Sequence, residues 1–166
     1  GGSLADFGVK FDWLDFEGEL NIDKIISAAA GKKMIYIQRS RGYSLRRSLT
    51  PGDIDRMVEA IHSKFPDLIV FVDNCYGEFV CASEPKADLI AGSLIKNAGG
   101  GLCPCGGYLA GKKELIDICA DRLFAQNIGR EVGPTLFQNR NMFMGLFMAP
   151  HATAEALKTS VFAAAL

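Results

Sequence analysis

The sequence predicts an α/β fold in which a mostly parallel sheet carries flanking helices, within a single domain over residues 1–166. Short apolar runs of strand length occupy residues 34–38, 68–73 and 87–92, and a helical pattern separates the first two runs. Such alternation of strand and helix is typical of α/β proteins. With 166 residues and 49% hydrophobic side chains, the chain is long enough to bury one core.

The first strand, helix and strand form a βαβ unit. Met34–Gln38 is rich in β-forming residues, and Thr50-Pro51-Gly52-Asp53 supplies a helix start with proline in the first turn. Pro66 ends this helix, and the continuous apolar run Leu68–Asp73 predicts a strand that is covered on both faces. The apolar stripe of the helix consists of Ile54, Met57, Val58, Ile61 and Phe65.

The rest of the chain adds two strands and three helices to this prediction. The run 87–92 predicts a third strand, a glycine-rich stretch covers 97–107, and Tyr108–Gly111 predicts a fourth, short strand. An amphipathic helix follows from Lys112. The segments 135–146 and 151–165 are predicted to be two further helices separated by Pro150.

Charge and composition narrow the class of partner. The 18 basic and 19 acidic side chains leave a net charge of −1, which argues against a nucleic-acid or anionic membrane partner. No apolar run reaches the roughly 18 residues that a bilayer span requires. Five cysteines are an odd number and do not indicate a disulfide framework. We therefore predict a cytoplasmic protein with a small-molecule partner.

Two residues that follow neighbouring strands carry the chemical argument. Asp73 lies at the carboxyl end of the second strand, where ligands of open α/β sheets bind, although it could instead initiate a turn. Lys96 follows the third strand in apolar surroundings. Desolvation favours its neutral amine, the form that attacks a carbonyl to make an imine. The alternative is a lysine that extends its amine to solvent.

Ser93 and the glycines after Lys96 complete a candidate cofactor site. The Ser93 hydroxyl could bind a phosphate, and the glycines 99–101 let the backbone approach a bound group. An aspartate, a lysine and a serine in this arrangement match the needs of pyridoxal 5'-phosphate. Its pyridine nitrogen requires a counter-ion, its aldehyde an amine and its phosphate a donor.

Two other kinds of site fit the residues less well. Ser93-Leu-Ile-Lys96 is a Ser-x-x-Lys tetrad as in penicillin-binding proteins, but the accompanying Ser-Asp-Asn and Lys-Thr-Gly motifs do not occur in the sequence. Cys103-Pro-Cys105 lacks the spacing of a zinc site, so no metal site is predicted. His62 and His151 are expected to have structural roles.

Six stretches together resemble one family of proteins. The stretches are Gln38–Tyr43, Val72–Phe79, Asp88–Asn97, Gly106–Gly111, Gly129–Gly133 and Gly145–His151. They resemble the aluminium-resistance family, which is similar to methionine gamma-lyase and the cystathionine lyases. These proteins belong to the fold-type I group of pyridoxal-phosphate enzymes.

The resemblance implies a role for each of the three central residues. Lys96 would hold the cofactor as a Schiff base, Asp73 would contact the pyridine nitrogen, and Ser93 would bind the phosphate. The implied activity is a carbon–sulfur lyase that acts on methionine or cystathionine by β- or γ-elimination through the Lys96 aldimine. Transamination on the same cofactor is the alternative reaction.

The resemblance also implies residues around the cofactor. Gln38 or Arg39 would approach it from the first strand, and Tyr76 would make a further contact. Arg41 and Tyr43 would line the substrate side.

Family members are longer than this chain, which has consequences for the implied activity. The chain corresponds to part of the large domain of the fold-type I transferase fold, without the N-terminal phosphate-loop segment and the C-terminal small domain. An inactive or weakly cofactor-binding scaffold is therefore a second possible state of this chain. Association into a homodimer or homotetramer is expected.

Overall fold

A mixed four-stranded sheet with flanking helices forms the centre of the fold. The computed structural model describes residues 2–16, 19–124, 126–131, 133 and 135–166. The strands lie in the order β1-β2-β3-β4. The elements are α1 (Ile22–Ala29), β1 (Met34–Gln38), α2 (Pro51–Lys64), β2 (Ile69–Asp73), β3 (Leu89–Ser93), β4 (Gly107–Gly111), α3 (Lys113–Leu123) and α4 (Asn139–Ala165). The predicted α/β arrangement of sheet and helices is confirmed.

The register of the sheet brings three strand ends to one edge. β1 pairs in parallel with β2, from Met34 opposite Ile69 to Gln38 opposite Asp73. β2 pairs in parallel with β3, where Asp73 lies opposite Ala91, and β4 is antiparallel to β3. The carboxyl ends of β1, β2 and β3 therefore lie side by side, and the loops that follow them meet there.

The start of α2 shows why this helix was predictable. The Thr50 hydroxyl accepts a hydrogen bond from the Asp53 amide at 3.1 Å, and the Asp53 carboxylate accepts one from the Thr50 amide at 2.9 Å. This reciprocal capping satisfies two amides that have no partner within the helix. Pro51 stands in the first turn, where its missing N–H costs no helical hydrogen bond.

Among the residues that the structure describes, the main core lies on one face of the sheet. Val70 and Val72 are completely buried, together with Ile54 and Ile61 of α2, and the isoleucines of α1 pack against the same cluster. On the opposite face Phe71 is only partly buried. The prediction that β2 is covered on both faces is wrong, because α1 and α2 both pack on the Val70 side of β1 and β2.

Helix α1 was not predicted, although its signals are present in the sequence. The Asn21 side chain accepts a hydrogen bond from the Lys24 amide at 2.9 Å and so caps the helix. Ile22, Ile25 and Ile26 follow at helical spacing and pack on the core.

The C-terminal helix differs from the prediction. The two helices expected at 135–146 and 151–165 are one helix, α4, with Pro150 inside it. A proline removes one hydrogen-bond donor, and the alanine-rich sequence that follows favours continuation of the helix. Ala149, one residue before the proline, is completely buried. Of the helices that the structure describes, neither α4 nor any shorter one combines the length and the hydrophobicity needed to span a bilayer.

Helix α4 packs closely on the loop that follows Lys96. A Cβ added to Gly145 would lie 2.3 Å from the Gly99 carbonyl oxygen and 2.7 Å from Cys103 Sγ. Gly100 adopts a φ of +56°, a left-handed conformation that glycine tolerates. The glycines therefore allow the loop and the helix to touch through their backbones. Of the quoted motif Gly129–Gly133, Val132 lies outside the described residues.

His62 joins α2 to the start of β3. Its Nε2 lies 3.0 Å from Asp88 Oδ2 and 3.1 Å from the Leu68 carbonyl oxygen. The buried Asp88 also accepts a hydrogen bond from the Val70 amide at 2.7 Å and pairs with Lys112 at 2.7 Å. These contacts agree with the predicted structural role of His62.

Candidate active site

The carboxyl edge of the sheet brings most of the predicted site residues together. Gln38 and Asp73 end neighbouring strands in register, and Ala91 continues the same row on β3. Ser93 is two residues further, so that alternation along the strand places its side chain on the face of Ala91 and Asp73. The Lys96 amide donates a hydrogen bond to the Ser93 carbonyl at 3.2 Å, which starts the loop after β3.

Both oxygens of the Asp73 carboxylate are held by hydrogen bonds. The Cys75 amide donates to Oδ1 at 3.0 Å, and the Tyr36 hydroxyl donates to Oδ2 at 2.9 Å. Burial is the largest influence on the Asp73 pKa and raises it, but the hydrogen bonds from Cys75 and Tyr36 and the charge of Lys96 outweigh it. The net result is a lowered pKa, so Asp73 is ionised at neutral pH.

The Lys96 amine is a cation in a partly buried, polar environment. Its Nζ lies 4.4 Å from the centroid of the Tyr76 ring, a cation–π distance. Burial is the largest single influence and lowers the Lys96 pKa, but Cys75, Tyr76 and Asp73 together raise it above its ordinary value. In the free chain, desolvation alone therefore does not determine the protonation state of this amine, because Asp73 and the other neighbouring groups oppose it.

The Cys75 thiol belongs to the same group of side chains. Its pKa is raised, first by burial and then by the neighbouring Asp73 carboxylate. A protonated thiol is a weak nucleophile, because the thiolate is the reactive form. Asp73 and Lys96 are thus the charged groups of this site, and Cys75 is a neutral neighbour.

The backbone after β2 is strained at the residue that contacts Lys96. Tyr76 has a φ of +67°, and Phe79 has a φ of +61°. Side chains other than glycine rarely adopt this left-handed conformation, and such residues cluster at functional sites. The Gly77 amide donates to the Asn74 carbonyl at 2.8 Å and closes the turn that presents the Tyr76 ring.

Arg39 lies apart from this group of residues. Its Nη1 donates to Asn74 Oδ1 at 2.6 Å and to Glu84 Oε2 at 2.7 Å, and the residue is 3% exposed. Successive side chains of a strand point to opposite faces, so Gln38 shares the face of Asp73 and Arg39 points to the other. Of the two residues predicted to approach the cofactor, Gln38 lies at the carboxyl edge of the sheet beside Asp73. The Arg39 guanidinium is instead hydrogen-bonded within a buried network.

That network was not predicted from the sequence. The Tyr108 hydroxyl donates to Glu78 Oε1 at 3.0 Å and accepts from Asn74 Nδ2 at 3.2 Å. Burial raises the pKa of the Glu78 carboxyl, whose Oε2 has no hydrogen-bond partner among the residues described. A Cβ on Gly92 would lie 2.3 Å from Glu78 Oε1. The absence of a side chain at Gly92 therefore lets the Glu78 carboxylate pack against the backbone of β3.

The loop after β1 carries the two residues predicted for the substrate side. The Arg46 guanidinium donates to the Gln38 carbonyl at 3.0 Å and also contacts the Ser40 carbonyl, which folds the loop back on the strand. Arg41 and Tyr43 lie on this loop with exposed side chains. Their substrate-side roles stay predictions.

Tyr36, like Cys75, is a residue of this site that was not predicted from the sequence. Alternation from Tyr36 to Gln38 and the parallel pairing of β1 with β2 place it on the face of Asp73. The alternation along β1 can be read from the sequence, but it places Tyr36 beside Asp73 only when the register between β1 and β2 is known. Because Tyr36 precedes the strand end by two residues, it does not stand out as a loop residue would.

Comparison with known proteins gives a consistent result. The sequence profile described as methionine gamma-lyase matches residues 1–166. The uncharacterised protein YnbB of Bacillus subtilis is 46% identical over 169 residues, which cover 98% of this chain and 40% of YnbB.

Solved structures agree with the sequence comparison. A Listeria monocytogenes protein, described as involved in aluminium resistance and as a candidate cystathionine beta-lyase, is 48% identical with a TM-score of 0.89. A carbon-sulfur lyase involved in aluminium resistance from Clostridium novyi is 45% identical with a TM-score of 0.86. Each similarity covers 95% of this chain, and this chain covers 40% of the Listeria protein and 39% of the Clostridium protein.

Proposed function

Since this chain belongs to the methionine gamma-lyase family, we propose that it forms the cofactor-binding core of a pyridoxal-phosphate-dependent carbon–sulfur lyase. In this proposal the four-stranded sheet is part of the large domain of a fold-type I enzyme. The observation that carries it is the pair of charged groups at neighbouring strand ends. Asp73 accepts a hydrogen bond from the Cys75 amide at 3.0 Å, and Lys96 Nζ lies 4.4 Å from the ring of Tyr76, the next residue, so both groups contact the same turn.

The residues at this edge fit the chemical groups of pyridoxal phosphate. Asp73 offers a carboxylate whose two oxygens each accept one hydrogen bond from the protein, and a carboxylate oxygen can accept a second. Lys96 offers a primary amine, and Ser93 offers a hydroxyl. The Gly99 and Gly100 amides instead donate to the Lys96 and Asn97 carbonyls at 3.1 and 3.0 Å, so the Ser93 hydroxyl is the phosphate donor in this proposal. A ring nitrogen, an aldehyde and a phosphate would each find a matching partner.

Pyridoxal phosphate supplies an aldehyde that condenses with amines and a ring that accepts electrons from the substrate's α-carbon. The Asp73 carboxylate would hold a proton on the ring nitrogen. Lys96 would hold the aldehyde carbon until the substrate amine replaces it, and its Nζ would then be free to take the α-proton. Tyr76, beneath that Nζ, would keep the amine over the site.

The raised pKa of Lys96 has a consequence for loading of the cofactor. An ammonium cannot attack an aldehyde, so the amine must lose its proton before the bond forms. We expect the fraction of chain joined to pyridoxal phosphate at a fixed short time to increase as pH rises toward the Lys96 pKa. The elevation of this pKa places the increase at higher pH than for an ordinary lysine.

The proposed substrates are sulfur amino acids such as methionine or cystathionine. Support comes from the family and from the lyase names of the similar structures. Because the chain spans about 40% of those relatives, the activity belongs to the longer protein in this proposal. A homodimer or homotetramer and a cytoplasmic location stay predictions of the family resemblance.

Chemical trapping tests the proposed site in the chain itself. The chain is incubated with pyridoxal phosphate, reduced with borohydride, digested, and analysed by peptide mass spectrometry. We expect the pyridoxyl group on Lys96, no trapped group at this position in Lys96→Ala, and unchanged trapping in Lys113→Ala. Lys113 is a suitable control because its amine pairs with Asp117 on the exposed side of α3. A group found only on other lysines would contradict the proposal and leave an inactive scaffold.

Product analysis tests the proposed reaction. The longer protein that contains this chain is given cystathionine or methionine, and the released thiol and keto acid are measured together. A lyase releases both in equal amounts, whereas an aminotransferase forms keto acid without thiol and requires an acceptor keto acid. Keto acid without thiol would replace the lyase by the aminotransferase alternative.

A further inference from the structure

Tyr36 reaches the candidate site from the middle of β1. It pairs with Phe71 in the parallel register, and the two rings lie 5.4 Å apart at an angle of 57°. Its hydroxyl extends along the sheet surface to Asp73 Oδ2 at 2.9 Å. The side chain is thus fixed at its ring by Phe71 and at its hydroxyl by Asp73.

We propose that Tyr36 is a positioning residue that holds the Asp73 carboxylate ionised and oriented toward the ring nitrogen of the cofactor. This inference rests on the proposed function, because it assigns Asp73 to that nitrogen. Tyr36 acts through Asp73 and needs no contact with substrate or cofactor.

The geometry at Asp73 explains the need for a second donor. Cys75 holds the carboxylate from one side only, through its amide on Oδ1 and its thiol beside the carboxylate. The Tyr36 hydroxyl holds Oδ2 from the neighbouring strand. With both oxygens held, the plane of the carboxylate is fixed, and a carboxylate has about four acceptor positions, so it can also accept a ring N–H.

The protonation states suit this arrangement. Burial, followed by the hydrogen bond to Asp73, raises the pKa of Tyr36 to about 12. Tyr36 therefore remains a donor throughout the physiological pH range, while Asp73 remains an acceptor. A hydrogen bond that involves an ionised partner is stronger than one between neutral groups, which gives this contact weight despite the exposure of Tyr36.

Carboxyl titration in the cofactor-free chain provides the first test. The ¹³C signal of Asp73, assigned by its loss in Asp73→Asn, is followed against pH in wild type and in Tyr36→Phe. The phenylalanine keeps the ring on Phe71 and removes only the hydroxyl. We expect the pKa of Asp73 to move upward in Tyr36→Phe, because a hydrogen bond that lowers it is lost.

Phe71→Leu is the matched control, since it removes the ring contact and retains the Tyr36 hydroxyl. The Asp73 pKa should move less in this variant than in Tyr36→Phe. An Asp73 pKa that is unchanged in Tyr36→Phe, or that moves equally in both variants, would overturn the inference.

Cofactor affinity provides the second test and separates this inference from the proposed function. Loss of one hydrogen bond corresponds to about two- to tenfold weaker binding, and we expect this loss of pyridoxal phosphate affinity in Tyr36→Phe. Equal or tighter binding would show that Tyr36 does not orient Asp73 for the ligand. A wild-type chain whose Lys96 is never trapped would overturn the proposed function and the positioning role with it, even where the titration reports the hydrogen bond.

Discussion

The backbone contact between α4 and the loop after Lys96 can be tested by adding a single methyl group. In Gly145→Ala the new Cβ would lie 2.3 Å from the Gly99 carbonyl oxygen and 2.7 Å from Cys103 Sγ. The first of these is a backbone atom, which cannot move aside as the end of a long side chain can. The helix and the loop must therefore separate, or the loop must change its conformation.

Two opposing effects determine the size of the change in stability. Overpacking of this kind costs roughly 1–3 kcal/mol. Replacing glycine by alanine inside a helix returns up to about 1 kcal/mol through helix propensity. With the full gain in helix propensity, we expect a net loss of up to about 2 kcal/mol in the free energy of unfolding, which corresponds to a Tm lower by up to about 8 °C for a domain of this size.

The control is a second helical glycine with free space around it. At Gly52, in the first turn of α2, the nearest atom to an added Cβ is Thr50 Oγ1 at 3.9 Å. Gly52→Ala should leave the stability unchanged or raise it by at most about 1 kcal/mol. The two variants therefore make the same chemical change with opposite expected results.

Urea unfolding followed by circular dichroism at 222 nm is a suitable assay. The single tryptophan, Trp13, is 84% exposed, so its fluorescence would report little of the packing. If Gly145→Ala is as stable as Gly52→Ala, the close contact between α4 and the loop does not exist in solution.

Two pH-dependent predictions follow from buried carboxyl groups. Burial opposes ionisation of Asp88, but hydrogen bonds from Lys112 and Val70 and the charge of His62 give a net lowered pKa. Its contribution to stability is thus present above the ordinary carboxyl pKa and is lost as pH falls through the folded value. Asp88→Asn should cost about 1–3 kcal/mol at neutral pH, through weaker hydrogen bonds to its partners, and should weaken the acid sensitivity of unfolding; parallel pH curves for both proteins would refute this. The Glu78 pKa is raised by burial, so its contribution is present below the ordinary value of 4.5 and is lost as pH rises through the folded value. As pH rises above the folded pKa of Glu78, Glu78→Gln should therefore become more stable relative to wild type. Urea unfolding at several pH values measures this difference in stability. A difference that moves in the opposite direction would show that folding favours the ionised form of Glu78.

The central βαβ unit was predictable because its signals are local. The β-forming run of β1, the Thr50 cap and the apolar stripe of α2 each specify an element without knowledge of its neighbours. The same applies to the position of Asp73 and Lys96 after consecutive strands. Parallel strands bring their carboxyl ends to one edge, so the chain order predicted that the loops after β2 and β3, which carry these residues, lie at the same edge of the sheet.

The features that were missed depend on neighbours in space. The half-covered face of β2 follows from where α1 and α2 pack, and the raised Lys96 pKa follows from Cys75, Tyr76 and Asp73 around its amine. Pro150 was expected to separate two helices, because the rule that proline ends a helix takes no account of the helix-favouring residues on both sides of it. The alternation of β1 does distinguish Gln38 from Arg39, but only once the strand limits are known.

The structure of the chain after loading with pyridoxal phosphate and reduction by borohydride tests the central claim most directly. The account predicts continuous density from Lys96 Nζ into the pyridine ring, with the ring nitrogen within hydrogen-bond distance of the Asp73 carboxylate. Density at a different lysine, or a ring on Lys96 whose nitrogen points away from Asp73, would contradict it.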